Sequence, residues 1–400
     1  MARSRTRVSS AVAAVAVVAA AVAGAAQAHG CHVPDARVAS AAARACGFQK
    51  VGSIEVSEAA GLGRVELHGK LAAVLQRDEG VVSLVDVSKP AAPHVLGRYD
   101  GGIEQQRAGK SLDGDLAFSS DGRWLLYARQ STQLSADGLH VIDVSDPAAP
   151  ALRNFQQQCG SYRVALHETE SATYAITLDA IEGLVVNRFD TATGALVPVF
   201  SDPLPALRRV GGPASAGLFV DPKDPRLGVP LLYATSGTTG LQVYDLSAPE
   251  SPELLGSWGE EGLAEVEVVR TGKTRTVYVA TEYWFDSNTK PEVIVLDARD
   301  LDAIEEKRRI GLGLPATDEF RIQGMSLAQG PLLVAHSQAG LIAYTLDGHD
   351  AGYFTDLGAR NEAAGASGEP YAFDVEASKG LLYVTDGATG TLTIVRATRH

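Results

Sequence analysis

Cysteine, methionine and tryptophan are scarce in this chain, numbering three, two and three in 400 residues. Three cysteines allow at most one internal disulfide with one thiol left over, so cross-linking does not hold the fold together. Long apolar runs are missing too, apart from 11–26. That run follows Arg3, Arg5 and Arg7 and ends at Ala26-Gln27-Ala28, the small-residue pattern of a signal-peptidase site. It reads as a secretory signal peptide over 1–28, and no later stretch approaches the ~20 apolar residues that a membrane span needs. Cys31 directly after Gly30 opens an alternative in which this cysteine carries a lipid, although Ala28 and His29 are poor residues for that signal.

Basic charge is also short. The formal net charge is −13, and loss of the leader with its three arginines takes it to −16. Nucleic acid, which needs a basic footprint, is excluded as a partner, and the acid surplus suits solubility outside the cell. No phosphate loop, Gly-x-Ser-x-Gly, His-Glu-x-x-His or Cys-x-x-Cys is present, so no local motif announces an enzyme. Long amphipathic helices are absent as well. The helix-like exceptions are 302–310 and a short Ala-rich segment that Asp35 caps and Gly47 ends.

What the chain does have is a repeated phrase. GLHVIDVSDPAAP (138–150), VSLVDVSKPAAP (82–93) and GLQVYDLSAPESP (240–252) share Asp, an aliphatic residue, Ser, any residue, Pro, two residues, Pro. Alternating apolar residues make the strand, the Asp accepts backbone N–H groups in a turn, and the prolines delay further pairing. Degenerate copies bring the total to seven, with Asp86, Asp143, Arg188, Asp245, Asp297, Thr345 and Arg396 at the turn and separations of 57, 45, 57, 52, 48 and 51 residues. A second strand-like run precedes each copy, an innermost run lies further upstream, and an outer run follows. That order predicts an all-β, seven-bladed propeller of four-stranded antiparallel blades. The seventh copy runs out at the C-terminus without an outer strand, and FQKVGSIEVS from Phe48 is a strand with no other place. The expectation is that 48–57 pairs with 392–397 and closes the ring. The chain then divides into leader (1–28), N-terminal appendage with a short helix (29–47) and propeller (48–400).

These phrases resemble the LVIVD repeat, a family of propeller repeats of exported and cell-surface proteins; the resemblance implies the fold and an exported setting. LAFSSDGRWLLYA (116–128) resembles the strand-turn-strand unit common to many propellers. Neither carries an activity, since function resides in a site. Asp86, Asp143, Asp245 and Asp297 are accordingly read as turn-capping residues.

Candidate functional residues fall in two groups. Glu66, Asp115, Arg163, Glu265, Glu267 and Asp374 lie on innermost strands and make a mixed-charge channel mouth, read as solvating the channel or, alternatively, as scattered ligands of a metal-dependent hydrolase or lactonase using calcium. The second group comes from loop lengths. The connections 101–112, 202–213, 311–319 and 358–369 and the hairpin loops 130–137 and 283–291 all open on one face, the opposite face having tight turns except at 221–230. Tyr283, Trp284, Phe285, Arg107, Arg208, Arg209 and Arg360 lie there, residue types suited to an interaction surface. His68 and His167 occupy matching places and are read as solvated turn residues, and Cys159 has no activating neighbour. A disulfide is expected between Cys31 and Cys46, on the reasoning that Cys46 lies toward the tight-turn face and Cys159 toward the other.

The resulting expectation is a monomeric binding module that needs no cofactor. It is placed in the periplasm, on the cell surface or outside the cell, with an envelope or extracellular protein or a glycan as partner. A structural surface-layer component is a further alternative.

Overall fold

The computed structural model describes residues 45–398 apart from 59–60, 78, 102–110, 132–136, 159–160, 180–181, 203–215, 237–238, 260–261, 272–273, 282–289, 312–320, 328–330, 355–356 and 358–370. Strands β1 (Ala45–Cys46) and β2 (Phe48–Glu55) precede the first blade, which is β3 (Leu62–His68), β4 (Leu71–Gln76), β5 (Val81–Asp86) and β6 (His94–Tyr99). Blade 2 is β7 (Ser111–Phe118), β8 (Trp124–Ser131), β9 (Gly138–Asp143) and β10 (Ala151–Gln157). Blade 3 is β11 (Ser161–Glu168), β12 (Thr173–Asp179), β13 (Gly183–Asp190) and β14 (Ala195–Asp202). Blade 4 is β15 (Ala216–Asp221), β16 (Leu231–Ser236), β17 (Gly240–Asp245) and β18 (Glu253–Trp258). Blade 5 is β19 (Leu263–Thr271), β20 (Thr274–Thr281), β21 (Val293–Asp297) and β22 (Glu305–Ile310). Blade 6 is β23 (Gly324–Leu327), β24 (Leu332–Ala335), β25 (Leu341–Tyr344) and β26 (Asp350–Phe354), and β27 (Ala372–Ser378), β28 (Leu381–Asp386) and β29 (Thr391–Ala397) end the chain. Every blade is an antiparallel meander, and the fold is the seven-bladed propeller. Among the described residues no helix is long and apolar enough to cross a membrane.

The ring closes as the sequence implies. β2 is the outer strand of the last sheet, pairing with β29 from Phe48 opposite Ala397 to Glu55 opposite Thr391. Val56 and Ser57 extend the seam by donating to the Gly390 carbonyl.

The core is a set of inter-blade layers. On β13, Leu184 and Val186 pack against Leu232, Ala234 and Tyr244 of blade 4, while Phe189 on the other side meets Trp124 of blade 2. Middle strands therefore read as almost unbroken apolar runs, because both of their faces are covered. Full burial of each such Val or Leu contributes about 1.5–3 kcal/mol.

The repeated turn docks each blade on its predecessor. Asp86, Asp143, Asp245 and Asp297 each accept the backbone N–H two residues on, from Ser88, Ser145, Ser247 and Arg299, at 2.6 to 3.1 Å. The turn so formed lies against a glycine of the preceding outer strand: Pro90 on Gly52, Pro147 and Ala148 on Gly97, and Leu301 on Gly256. A side chain at any of these glycines would run into the carbonyl oxygen of the turn.

Two details differ from expectation, and a third segment gains a role. Segment 302–310 is no helix beyond a 3-10 turn at Leu301–Ala303; the rest is β22, because the edge of β21 offers it a ladder. Ala45 and Cys46 leave the appendage and pair with Phe354 and Tyr353 as a fifth strand of blade 6. Cys46 therefore sits on the rim of blade 6, and β1, antiparallel to β26, brings the chain in from the long-loop face rather than from the tight-turn face. The long turn 221–230 on the tight-turn face is a latch to blade 5. Arg275 pairs with Asp224 at 2.7 Å and donates to the Ala298 carbonyl at 2.8 Å, with the two side chains 4% and 2% exposed. Breaking so deeply buried a pair costs about 3–5 kcal/mol.

Two outcomes follow from closure and docking. A truncated chain beginning at Gly61 should lose the cooperative melt of the whole ring and self-associate through the β29 edge, as read by calorimetry and light scattering. Gly97→Val should lower stability by about 1–3 kcal/mol in chemical denaturation, through overpacking against Pro147 and Ala148.

Candidate functional site: the channel and the long-loop face

The innermost strands β3, β7, β11, β15, β19, β23 and β27 are neighbours in that order around the channel, and β27 returns to β3. Side chains two apart on a strand share a side, so Arg64 and Glu66, Glu265 and Glu267, and Asp374 and Glu376 form stacked pairs. Each inner strand starts at the long-loop face, which places Arg64, Asp115, Arg163, Glu265 and Asp374 nearer to that face than Glu66, Glu267 and Glu376.

The upper residues form one network across the channel. Glu265 of blade 5 accepts from Arg64 of blade 1 and, at 2.6 Å, from Arg163 of blade 3. Arg64 also reaches Asp374 of blade 7 at 3.2 Å. The second oxygen of Asp374 accepts the Val65 N–H at 2.9 Å, and Asp115 likewise accepts the Val164 N–H at 3.0 Å, so each carboxylate staples its blade to the next. Gly324 leaves the room Asp374 needs, since a Cβ there would collide with its carboxylate. The guanidiniums of Arg64 and Arg163 are only 8% and 7% exposed, as side chains, so they depend on these carboxylates.

Below this bridge, among the described residues, Glu66, Glu267 and Glu376 make no ion pair with a basic side chain. Burial, reinforced by Glu376, Asp115 and Asp374, holds the Glu66 carboxyl well above its usual range. Burial with Glu376, Glu265 and Asp374 does the same to Glu267. Burial, then Asp374, pushes Glu376 up to about 8. In the upper tier burial lifts Asp115 to about 6 against the pull of Arg163 and Arg64, and it raises Asp374 against the pull of Arg64 and the Val65 N–H.

The structure thus brings together all six channel residues singled out in the sequence. The sequence reading missed Arg64 and Glu376, although laying RVE (64–66), EVE (265–267) and DVE (374–376) in register shows the missing member of each pair. Among the described residues no three His, Cys, Asp or Glu side chains are arranged to hold a metal ion. His68 is half-buried against Phe118, with ring centroids 5.7 Å apart. His167 is only 3% exposed and burial lowers its pKa, so it is no solvated turn residue: its strand position turns it inward.

Tyr283, Trp284, Phe285, Arg107, Arg208, Arg209 and Arg360 lie outside the described residues, as do Cys31 and Cys159. The strand ends that flank those loops all emerge on one face, and two grooves open there between blades. One, about 590 Å³, lies between blades 2 and 3 and is lined by Gln156, Gln157, Glu182, Val185 and 198–201. The other, about 440 Å³, lies at the closure seam, where Glu55, Glu58, Glu79, Gln76 and Arg98 face it.

Glu376 supplies a pH test. Its folded pKa is raised, so its contribution to stability is fully present below the ordinary carboxyl pKa near 4.5 and is lost as pH rises through about 8. The melting temperature of the native protein should therefore fall between pH 5 and pH 9. Glu376→Gln, which cannot ionise, should flatten that fall while changing the melt at pH 5 little.

Comparison with known proteins follows the same lines. The LVIVD repeat family model matches residues 64–101 and 135–155, which hold the phrases of blades 1 and 2. No curated protein matches the chain. Among solved structures, a functionally unknown protein from Desulfotomaculum acetoxidans is similar at 14% identity and a TM-score of 0.54, over 73% of this chain and 85% of that one. The Cps50 (Swd1) propeller domain of Myceliophteria thermophila is similar at 13% identity and 0.57, over 88% and 100%. Raptor of Chaetomium thermophilum gives 13% and 0.58, over 87% of this chain and 29% of its own. Identities this low speak for the fold alone.

Proposed function

We propose that this chain, a seven-bladed propeller carrying LVIVD repeats, is an exported binding module that holds a protein or glycan of the envelope or exterior on its long-loop face. One observation carries this reading: the two faces are used differently. On the tight-turn face the Asp turns and the Asp224–Arg275 latch are committed to joining blade to blade. On the other face both grooves open, and the chain spends its extra length there. Variable length at one end of a rigid scaffold is the usual setting of a binding surface. The leader supports export, and a disulfide at Cys46 is consistent with an oxidising compartment.

Within that face the contacts assigned to the partner are Tyr283, Trp284, Phe285, Arg107, Arg208, Arg209 and Arg360. Aromatic and arginine side chains offer large area or forked hydrogen bonding, which suits an anionic or glycan-like ligand. Trp284→Ala and Arg209→Ala should each weaken binding to immobilised envelope polysaccharide or acidic protein by about 1 kcal/mol or more, with the melting temperature unchanged. A large loss of stability on Trp284→Ala would place that ring in the core and overturn the assignment.

A second reading, hydrolysis at the channel with a metal, is favoured by one observation. Asp115 and Glu376 have pKa values of about 6 and about 8, on either side of neutrality, as acid–base work requires. Against it, Glu265 and Asp374 are already engaged by arginines, and among the described residues no three carboxylates, Glu66, Glu267 and Glu376 included, are grouped to hold a metal ion. Elemental analysis of natively purified protein decides: stoichiometric calcium or transition metal that is lost in Glu66→Gln would favour the enzyme.

A further inference from the structure

Blade 3 breaks the pattern of its own repeat at one buried position. The residue just before the repeated turn position is Val85, Ile142, Tyr244, Leu296, Tyr344 or Val395 in the other six blades, and all six are buried. In blade 3 it is Asn187, which is fully buried too, and neither its Oδ1 nor its Nδ2 finds a hydrogen-bond partner. Enclosing a carboxamide in this way costs stability that an apolar residue at the same place would not lose, so its presence calls for a reason outside the packing.

Its surroundings supply one. Leu184 and Val186 face blade 4, so Val185 and Asn187, on the other side of β13, face blade 2. Val185 and Pro198, the residue opposite Asn187 on β14, both line the groove of about 590 Å³ between blades 2 and 3. On blade 2, Gln156 lies opposite Leu139, which packs against Val164 and Ala175 of blade 3, so the Gln156 side chain enters the same gap. Its Oε1 is enclosed and unpaired as well. Gln157 and Ser201 add further polar groups to the wall, and Glu182 is the one charged side chain among the described residues that line it.

We propose that this groove is a binding site for a neutral, hydroxyl-rich glycan, with Gln156 on its wall and Asn187 at its base holding sugar hydroxyls. Each carboxamide both donates and accepts, as a pair of adjacent hydroxyls does. An acidic sugar would meet Glu182 with no described Lys or Arg in the lining to offset it, and a cationic ligand would find neutral amides at the base. A peptide that extended the sheet would bond the outer edge of β14, whereas the unpaired groups lie behind that edge, between the blades. The volume of the groove falls within the ~300–1,000 Å³ of small-ligand sites. Because Asn187 is covered, a hydroxyl reaches it as the Val185 and Pro198 side chains part. The inference rests on the binding reading of the long-loop face but uses none of the loop residues assigned there.

Calorimetric titration of the full chain with maltotriose, cellotriose, laminaritriose, mannotriose and triacetylchitotriose tests it, with trigalacturonic acid and blocked tetra-alanine as acidic and peptide probes. At least one neutral trisaccharide should bind, and neither of the other two probes should. Asn187→Val and Gln156→Leu should each weaken that binding about tenfold or more. Asn187→Val should melt no lower than the native protein, since it installs the residue that blade 1 carries at this position. Sugar binding unchanged in both variants, binding of the acid or the peptide in place of a neutral sugar, no binding of any probe, or a marked loss of stability in Asn187→Val would overturn the proposal. Trp284→Ala and Arg209→Ala separate it from the loop assignment. They should leave trisaccharide binding intact; if they abolish it and the groove variants do not, the groove fails while the loop reading stands.

Discussion

A four-stranded sheet with two apolar faces must be covered on both sides, and in this protein only its neighbours can cover it. Every blade buries Val, Leu and Tyr toward the one before and the one after, so no blade is stable alone and the row must come round to its beginning. Closure by β2 on β29 is the contact that completes it. Without it one blade would present a bare ladder and the remaining layers would lose their frame.

From that constraint the division of labour between the faces follows. Each blade needs a fixed offset from the next, and the Asp turn resting on a glycine notch sets it at the outside of the ring. Carboxylates of the inner strands set it at the centre, where Asp115 and Asp374 bond the N–H groups of Val164 and Val65. Both devices are local, and the contacts that make them lie in the strands and the Asp turns.

The channel carries a different balance. Glu265 answers two arginines from blades 1 and 3, and Arg64 answers a second acid from blade 7, so the upper tier is close to self-neutral. The three glutamates beneath are held toward their protonated forms by their enclosure and by neighbouring carboxylates, Asp374 acting on all three. Neutral carboxyls cost little to enclose, whereas three carboxylates would strain the ring. The state of the channel, and with it the stability of the propeller, is therefore tied to pH.

Much of this was legible in the chain itself. The seven Asp-bearing or degenerate phrases and the orphan strand at Phe48 determined blade number, strand order and closure, because these depend on period-two alternation and on turn chemistry, which are local. Site residues were legible as positions only. That Glu66, Asp115, Arg163, Glu265, Glu267 and Asp374 line a channel follows from their strands, but Arg64 and Glu265 are 201 residues apart and nothing in their spacing pairs them. Ring geometry decided that bond, the inward turn of His167, and the move of Cys46 from an appendage to the rim of blade 6. Each of these depends on which blades face one another across the ring, a distance set by seven inter-blade angles added together and by no single stretch of sequence.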